Sequence, residues 1–300
     1  MKKLLCIDGN SILNRSFYGI RLLTTKDGFP TNALYGLVNV ISRELETLKP
    51  DYAAIAYDLK APTFRHKMYA DYKAGRHAMP DELRAQMPVS REFAEMLGLH
   101  ILDMEGYEAD DILGTLAAMA DAAPEECMAY LLTGDKDSLQ LVTDHTYIEL
   151  VTSRMGKTTT KEMDPASFRE VYGFEPPQMV DLKALMGDAS DNIPGVPGIG
   201  EKGAVKLLTE YGTLDGIYEH LVALYEGRNY FAYYLSAFYY GSADCYLAFV
   251  VNQQHLFKFN SLTAFCVLNV VNEELLAFFH LKLLTVNLYD CVHFINICLN

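Results

Sequence analysis

The sequence lacks paired cysteines. Its six cysteines form no CxxC pair and follow no regular spacing, which argues against a zinc site and against a disulfide framework. The N-terminal stretch MKKLLCIDGNS has a basic pair and a short apolar run, but Asp8 ends that run. We therefore expect a buried strand there instead of a signal peptide, and a reducing cytoplasm as the setting.

Long apolar runs are also missing. Residues 221–300 contain three Lys or Arg and five Asp or Glu among many Tyr, Phe, Leu and Asn, yet no uncharged run reaches the length of a membrane span. No membrane partner is expected. The segment shows no motif with chemical content, so we treat 221–300 as an atypical apolar C-terminal segment of unknown role.

Positive charge is scarce overall. The chain has 25 Lys or Arg against 39 Asp or Glu, and a net charge of -14 is unusual for a protein that binds nucleic acid. The exception is 60–91, where seven Lys or Arg face three acids, a local net charge of 7 - 3 = +4. An acidic chain with one basic segment fits a metal-dependent enzyme that acts on a polyanion.

Apolar runs that lead to acidic residues recur along the chain. KLLCID ends at Asp8 and YAAIAYD ends at Asp58, while HILDM leads to EADD and CMAYLLT leads to GDKD. Each run is typical of a buried parallel strand, and helix-periodic stretches such as 34–48 separate them. The pattern predicts an α/β fold with a mostly parallel central sheet flanked by helices. Ligands of such sheets bind at the carboxyl ends of the strands.

The EADD motif places Glu108, Asp110 and Asp111 within four positions. Such carboxylates repel one another unless a cation lies between them. If the motif begins a helix, Glu108 and Asp111 share a face. Taken alone, the motif fits a solvated acidic first turn as well as it fits a metal site. Acids at the other strand ends favour the metal site.

Two further acidic pairs support that interpretation. Asp135 and Asp137 follow an apolar strand, where an extended chain would point both side chains the same way. Asp188 and Asp191 lie three residues apart, the spacing of two residues on one helix face. For each aspartate taken singly, the alternative is a helix N-cap or a turn position.

Basic and aromatic residues alternate within 60–91, and Pro62, Gly75 and Pro80 interrupt the segment. Arg and Lys neutralise phosphates while aromatic rings stack on unpaired bases, so the mixture indicates contact with single-stranded nucleic acid. The alternative is a solvated amphipathic helix pair. The candidate contact residues are Arg65, Tyr69, Tyr72, Lys73 and Arg76.

A glycine-rich stretch, GVPGIGEKGAVKLL, predicts a hairpin followed by a helix that begins near Glu201. Its glycines would let backbone amides approach a phosphate of duplex DNA without reading the base sequence. A plain glycine-rich turn is the alternative. The candidate contact residues are Gly195, Gly198, Ile199, Gly200 and Lys202.

Seven motifs carry a resemblance to a known family. IDGNS, AIAYD, FRHKMYADYKAGR, MPDELR, EADD, TGDKDSLQL and GDASDNIPGVPGIGEKGA occur in this order and cover residues 2–220. Together they resemble the 5'-to-3' exonuclease domain of bacterial DNA polymerase I, one of the flap-endonuclease-like 5' nucleases with a PIN-like fold. The resemblance implies a catalytic domain at 1–175 with a helical arch at 60–91, and a helix-hairpin-helix DNA-binding region at 176–220.

The resemblance also implies a two-metal site. Mg²⁺ is the expected ion, Mn²⁺ is a substitute, and K⁺ is a candidate at the hairpin. Lys73 and Arg76 match the basic residues of the arch and are the expected catalytic cations. The implied ligands of the first ion are Asp8, Asp58, Glu108, Asp110 and Asp111. The implied ligands of the second ion are Asp135, Asp137, Asp188 and Asp191.

The implied function is that of a structure-specific 5'-to-3' exonuclease and flap endonuclease, which hydrolyses DNA phosphodiester bonds in primer removal and DNA repair. Expected substrates are 5' flaps, nicks and branched duplexes, with RNA primers on DNA as a further candidate. We expect a monomer at the nucleoid of a bacterial cytoplasm, with a separately supplied DNA polymerase as a candidate partner. Two alternatives are a non-catalytic branched-DNA-binding protein, which would lack some of these acids, and a PIN-type ribonuclease, which would need neither the hairpin nor the basic segment.

Overall fold

The computed structural model describes residues 1–123, 127–154 and 157–227. Its strands are β1 (Lys2–Asp8), β2 (Tyr52–Ala56), β3 (His100–Leu102), β4 (Cys127–Thr133), β5 (Thr146–Arg154) and β6 (Lys157–Met163). Its α-helices are α1 (Gly9–Gly19), α2 (Asn32–Leu48), α3 (Phe64–Met68), α4 (Asp81–Met96), α5 (Ala109–Ala122), α6 (Pro165–Tyr172), α7 (Met179–Met186), α8 (Glu201–Tyr211) and α9 (Leu214–Gly227). The sequence interpretation of the apolar C-terminal segment falls mainly on 228–300, outside the described residues.

The six strands form one sheet in the order β3-β2-β1-β4-β5-β6. Neighbouring strands from β3 to β5 run parallel, and only the β5–β6 hairpin is antiparallel. The prediction of a mostly parallel sheet flanked by helices is therefore confirmed. The chain passes from β1 outward to β2 and β3, then crosses to β4 on the other side of β1. This reversal opens a crevice beside the carboxyl end of β1, where ligands of such sheets bind.

Strand β1 shows why the sheet needs helices on both faces. Leu5 and Ile7 are fully buried against α1, α2 and α4, while Cys6 points to the opposite face and packs with residues of α5. Alternate residues of a strand point to opposite faces, so an unbroken apolar run must be covered on both sides. Burying a side chain of this size stabilises the fold by about 1.5–3 kcal/mol.

Helix α4 overlaps the predicted arch. The arch that the resemblance implies spans 60–91, but α4 begins at Asp81 and continues through Pro88 to Met96. Leu83, Ser90 and Ala94 lie on its buried face, and packing of this stripe holds the helix together although Pro88 cannot donate a backbone hydrogen bond. The last third of the predicted arch therefore packs against the sheet. The remainder, 60–80, contains only the short helix α3 and turns.

Within the described ranges, the longest apolar helices fall short of what a membrane crossing requires.

Candidate metal centre

Eight of the nine predicted acids line two adjoining cavities at the carboxyl ends of β1, β2 and β4. Glu108, Asp110, Asp135 and Asp137 line both cavities. Asp8 and Asp58 line only one, and Asp188 and Asp191 line only the other. We call these the Asp8 end (Asp8, Asp58 and Asp110) and the Asp188 end (Asp137, Asp188 and Asp191) of the site.

Asp8 stands at the crevice between β1 and β4 and is only 4% exposed. Its Oδ1 accepts a hydrogen bond from the Ser11 N–H (2.9 Å), and its Oδ2 accepts one from the Thr133 hydroxyl (2.9 Å). Asp8 is therefore the N-cap of α1 as well as a wall of the cavity, and its role as a metal ligand stays a prediction. Burial, together with the charges of Asp58 and Asp135, raises the pKa of Asp8 to about 7.

Asp58 and Asp110 complete the Asp8 end. Asp58 Oδ1 accepts a hydrogen bond from the Ala109 N–H at the start of α5 (2.7 Å). Asp110 Oδ1 is buried and lacks a hydrogen-bond partner among the described residues. Burial and the nearby charges of Asp8 and Asp135 raise the pKa of Asp110 well above its ordinary value. A buried oxygen without a partner among like charges is stabilised by a cation, so this end fits a metal ion.

The number of converging ligands indicates the kind of ion. Among the residues described, no three His, Cys, Asp or Glu side chains are arranged so that they could hold a metal ion by themselves. That arrangement does not suit the closed cage of a structural zinc site. Mg²⁺ keeps several of its waters and needs few carboxylates in direct contact, so the three acids of the Asp8 end fit an ion that they hold partly through water.

Glu108 and Asp111 have different roles although both belong to EADD. Glu108 is the N-cap of α5 and faces the cavities, where its Oε1 accepts from Lys73 Nζ (2.8 Å). Asp111 lies outside both cavities, and its two oxygens accept a bidentate pair of hydrogen bonds from Arg65 (2.8 Å each). Asp111 also accepts from the Glu108 N–H in a capping box. The structure thus gives Asp111 the helix-start role that competed with metal binding, and its role as a ligand stays a prediction.

Two predicted DNA-contact residues turn out to be buried. Arg65 is 5% exposed and holds Asp111, and Tyr72 is 4% exposed. The Tyr72 hydroxyl lies 3.1 Å from both Glu108 Oε2 and Asp191 Oδ2. Both side chains satisfy acids of the site and line the cavity of the Asp188 end, and their role as DNA contacts stays a prediction. Residue type alone could not separate these two from the exposed Arg76.

Asp135 and Asp137 do not lie on an extended chain as expected. A 3₁₀ helix begins at Asp137, and the Asp137 N–H donates to Asp135 Oδ1 (2.9 Å). Burial and the charge of Asp135 raise the pKa of Asp137 to about 6, although Lys183 opposes the shift. The turn brings Asp135 and Asp137 together by a local hydrogen bond, so their proximity was predicted for the wrong reason.

Asp188 and Asp191 do not share a helix face. They lie in a tight loop closed by backbone hydrogen bonds between Asp188 and Ile193. Asp188 Oδ2 accepts from Lys183 Nζ, whereas Asp191 Oδ1 accepts from Arg76 (2.6 Å) on the other side of the loop. Although burial opposes it, hydrogen bonds from Lys183 and Ser190 lower the pKa of Asp188 to about 2.

The basic segment docks onto this loop through two residues with left-handed backbones. Lys73 has φ 58° and Asn192 has φ 59°, a backbone conformation that residues other than glycine rarely adopt. The Lys73 N–H donates to the Asp191 carbonyl (2.9 Å), and Asn192 Nδ2 donates to the Asp71 carbonyl (2.9 Å). The Tyr69 hydroxyl lies 3.3 Å from the Asn192 carbonyl oxygen. These contacts place Lys73 and Arg76 at the cavities.

The predicted contact residues of the glycine-rich hairpin are of two kinds, packed and open. Gly195 packs against the preceding helix, since a Cβ there would lie 2.2 Å from the Met186 carbonyl carbon. Gly198 and Gly200 have open space where a Cβ would stand, and Gly198 has φ 84°. Lys202 is exposed and Ile199 half-buried in the hydrophobic core. Gly195 is thus required by packing, while the tip of the hairpin is open to a ligand.

Sequence reasoning missed two cations of the site. Lys183 in the last turn of α7 lies 2.7 Å from Asp137 and 2.8 Å from Asp188. Arg15 on α1 donates to the Gly134 carbonyl beside Asp135 and lines the cavity of the Asp8 end. The sequence does hold a signal for Lys183, because a lysine on the helix that leads into GDASD must lie near that motif.

Comparisons with known proteins agree with this architecture. A family model described as the 5'-3' exonuclease N-terminal resolvase-like domain matches residues 3–173. The model of the 5'-3' exonuclease C-terminal SAM fold matches residues 174–231. These two ranges meet within the segment that precedes α7.

Similar sequences are bacterial DNA polymerases I. The chain is 45% identical over 219 residues to DNA polymerase I of Caldicellulosiruptor bescii, a match that covers 73% of this chain and 26% of that protein. It is 42% identical over 220 residues to DNA polymerase I of Bacillus subtilis, covering 73% and 24%. The chain thus spans about a quarter of the length of these relatives.

Similar solved structures come from bacteriophage T5. The zinc-bound 5'-exonuclease has a TM-score of 0.60 at 19% identity, covering 97% of this chain and 92% of that one. A variant of the T5 flap endonuclease in a pseudo-enzyme-product complex with DNA and metal ions also has a TM-score of 0.60 at 19% identity, covering 96% and 100%. At this identity the likeness shows a shared fold.

Proposed function

The chain belongs to the 5'-3' exonuclease family, and on that premise we propose that it hydrolyses DNA phosphodiester bonds at 5' ends and 5' flaps with two bound divalent cations. The observation that carries the proposal is the convergence of eight acids on two adjoining cavities, with Asp110 Oδ1 buried and without a hydrogen-bond partner in the described chain. A protein that only bound branched DNA would gain nothing from holding these charges together against their repulsion.

The proposed ligands divide between the two ends of the site. Asp8, Asp58 and Asp110 would hold one ion, Asp137 and Asp188 the other, and Glu108 and Asp135 line the cavities between them. Bound divalent ions supply a hydroxide nucleophile near neutral pH and stabilise the leaving oxygen. Mg²⁺ is the proposed ion and Mn²⁺ its substitute, because every proposed ligand is a hard oxygen donor.

The chain's own cations complete the chemistry. Lys73 and Arg76 are ion-paired with Glu108 and Asp191 beside the cavities. Positive charge beside the phosphate that is cleaved stabilises the transition state, and we propose that both cations supply it there. Lys73 and Arg76 each line both cavities, so we propose that both contact the strand that is cleaved.

The DNA duplex would lie along the helix-hairpin-helix region. The open backbone at Gly198 and Gly200 and the exposed Lys202 suit contact with phosphates, which fixes position without reading sequence. K⁺ is a proposed ion at this hairpin. We assign 1–175 to catalysis and 176–220 to duplex binding.

The proposed substrates are 5' flaps, nicks and branched duplexes in primer removal and repair, with RNA primers as a further substrate. The relatives are DNA polymerases I, so we propose a DNA polymerase as a partner, supplied as a separate chain or as a further part of the protein. The setting that we propose is a monomer at the bacterial nucleoid.

The test is cleavage of a 5'-flap DNA by the full chain. We expect 5'-phosphorylated products with Mg²⁺ and none in EDTA. Asp110→Ala should slow cleavage by about 10³-fold while DNA binding is retained, because the acid acts through the metal ion and not on the DNA. Asp103→Ala removes an acid outside the cavities and is the matched control. Cleavage by Asp110→Ala at the control rate would refute the assignment.

A second variant separates catalysis from binding at the basic segment. Lys73→Ala should lower the cleavage rate about a hundredfold and leave duplex affinity within about threefold, since a single exposed phosphate contact contributes little to binding. Lys67→Ala, an exposed lysine of α3 away from both cavities, is the control. Loss of affinity with an unchanged single-turnover rate would move Lys73 to a binding role.

A further inference from the structure

Lys183 occupies the position of a cation between two acids of the Asp188 end. Its Nζ lies 2.7 Å from Asp137 Oδ1 and 2.8 Å from Asp188 Oδ2. The three side chains are each partly shielded, with exposures of 24%, 35% and 13% in the order Lys183, Asp137 and Asp188. One ammonium group therefore bridges two carboxylates that come from different parts of the chain.

The bridge joins two elements that are far apart in sequence and that also pack through apolar side chains. Asp137 begins the 3₁₀ helix after β4, and Asp188 follows α7, which carries Lys183 in its last turn. Without a positive charge between them, these two acids would repel each other across the cavity. The ammonium holds the Asp188 end together in the absence of metal.

A divalent cation would compete with Lys183 for the same oxygens. The ammonium group of Lys183 donates to one oxygen of each carboxylate, and a divalent cation would bind oxygens of the same two carboxylates. The Asp8 end contains no comparable bridge among the described residues, where Ser11, Thr133 and Ala109 provide the hydrogen bonds. The two ends of the site therefore differ in what a metal ion must displace.

We propose that Lys183 is a built-in counterion that positions Asp137 and Asp188 in the metal-free protein and lowers the affinity of this end for a divalent cation. This inference rests on the proposed metal dependence. It adds a residue that competes with the metal, and it predicts that the ion at the Asp188 end binds more weakly than the ion at the Asp8 end. Displacement by metal would free the ammonium group within the cavity.

The test is Mn²⁺ binding to the full chain without DNA, with free Mn²⁺ followed by electron paramagnetic resonance at constant ionic strength. Lys183→Met keeps the length of the side chain and removes its charge. We expect the weaker Mn²⁺ site to tighten about tenfold, since one charged hydrogen bond to each acid no longer has to be broken. Lys67→Met is the matched control, because Lys67 is exposed on α3 and lies outside both cavities.

A second measurement keeps the test independent of folding yield. Without metal, Lys183→Met should melt several degrees below the unaltered protein, and saturating Mn²⁺ should remove most of the difference. Lys183→Arg keeps the charge and should bind Mn²⁺ within about threefold of the unaltered protein. If the Arg variant tightens as much as the Met variant, charge is not the cause and the inference is wrong.

The remaining outcomes separate this inference from the proposed function. Equal affinity in Lys183→Met, Lys67→Met and the unaltered protein would overturn the counterion role and leave the metal site intact. Weaker binding in Lys183→Met would make Lys183 a supporting residue instead of a competitor, and would also overturn it. Absence of Mn²⁺ binding in all three proteins would instead refute the proposed metal dependence itself.

Discussion

The two ends of the site hold their acids in different ways. At the Asp8 end, backbone amides and the Thr133 hydroxyl provide the hydrogen bonds, and no lysine or arginine in the described chain pairs with Asp8, Asp58 or Asp110. At the Asp188 end, Lys183 and Arg76 neutralise the acids directly. The acids of the Asp8 end thus lack ion pairs within the described chain, whereas those of the Asp188 end are paired with cations of the protein.

The pKa shifts record this difference. Burial and like charges raise the pKa of Asp8 to about 7 and that of Asp110 well above its ordinary value. Asp188 is also shielded, but hydrogen bonds from Lys183 and Ser190 lower its pKa to about 2. Near neutral pH, a metal ion at the Asp8 end therefore competes with protons, while one at the Asp188 end competes mainly with an ammonium group. The first competition depends on pH up to about 7, whereas at the second only Asp137, with a pKa of about 6, takes up a proton as the pH falls.

We expect the largest loss of stability where a buried acid is fully paired with a cation of the protein. Arg65 and Asp111 form a bidentate pair in which both residues are buried, so Arg65→Met leaves an unpaired buried carboxylate. We expect a loss of about 3–5 kcal/mol in the free energy of unfolding at neutral pH, measured by urea denaturation.

The control for this change is Arg84→Met, which breaks an exposed ion pair with Asp81 and should cost less than about 1 kcal/mol. The comparison also tests Asp111 as a ligand. If Mg²⁺ restored the stability of Arg65→Met to that of the unaltered protein, Asp111 would belong with the metal-binding acids and not with a permanent ion pair.

The comparison also shows what the sequence could predict. The mostly parallel sheet and six of the eight acids at the cavities followed from apolar runs that lead to acidic residues, because parallel strands bring their carboxyl ends to one edge. Asp188 and Asp191 follow helix α7 and were predicted from their spacing and from the family resemblance. Composition grouped Arg65 and Tyr72 with exposed contact residues and did not predict that they are buried. Whether a basic or aromatic side chain faces solvent or a buried acid is decided by tertiary packing, which charge patterns do not encode.

The local geometry of Asp135 and Asp137 could not be predicted from strand periodicity either. Strand periodicity suggested that Asp135 and Asp137 lie on an extended chain, but a hydrogen bond from the Asp137 N–H to the Asp135 carboxylate starts a 3₁₀ turn. Aspartate makes such side-chain to backbone bonds readily, and they override strand geometry. The bridge by Lys183 depends on the approach of α7 to this turn and was missed.

A raised pKa does not by itself identify a metal site, and Glu149 provides the contrast. Glu149 on β5 is 6% exposed and lies away from both cavities. Burial and the charges of Glu44 on α2 and of its cross-strand partner Glu162 raise the pKa of Glu149 to about 7, opposed by Arg43. The folded protein therefore binds a proton that the unfolded chain releases near pH 4.5, so stability falls as pH rises from about 4.5 to 7.

Glu149→Gln removes this titration. We expect the variant to be more stable than the unaltered protein above pH 7, by at most about 3 kcal/mol, and little changed below pH 4.5, as measured by urea denaturation across pH. The exposed Glu46 on α2 gives the control Glu46→Gln, which should change stability by less than about 0.5 kcal/mol at either pH. A stabilising effect that appeared only with Mg²⁺ present would place Glu149 among the metal-binding acids and remove the contrast.

The smallest effect concerns proton release when Mg²⁺ binds. Asp8 holds a proton up to about pH 7, and the ion requires the carboxylate form, so affinity at the Asp8 end should rise with pH and level off above 7. We expect about a tenfold gain in Mg²⁺ affinity between pH 6 and 8, equivalent to about 1.4 kcal/mol.

Titration calorimetry at pH 6.5 in two buffers with different ionisation enthalpies should give different heats, because protons are released into the buffer. The pH dependence should flatten in Asp8→Asn and persist in Lys183→Met, since Lys183 contacts only the other end. Equal heats in both buffers would mean that the Asp8 end binds its ion without losing a proton, and the two ends of the site would then differ only in their internal cations.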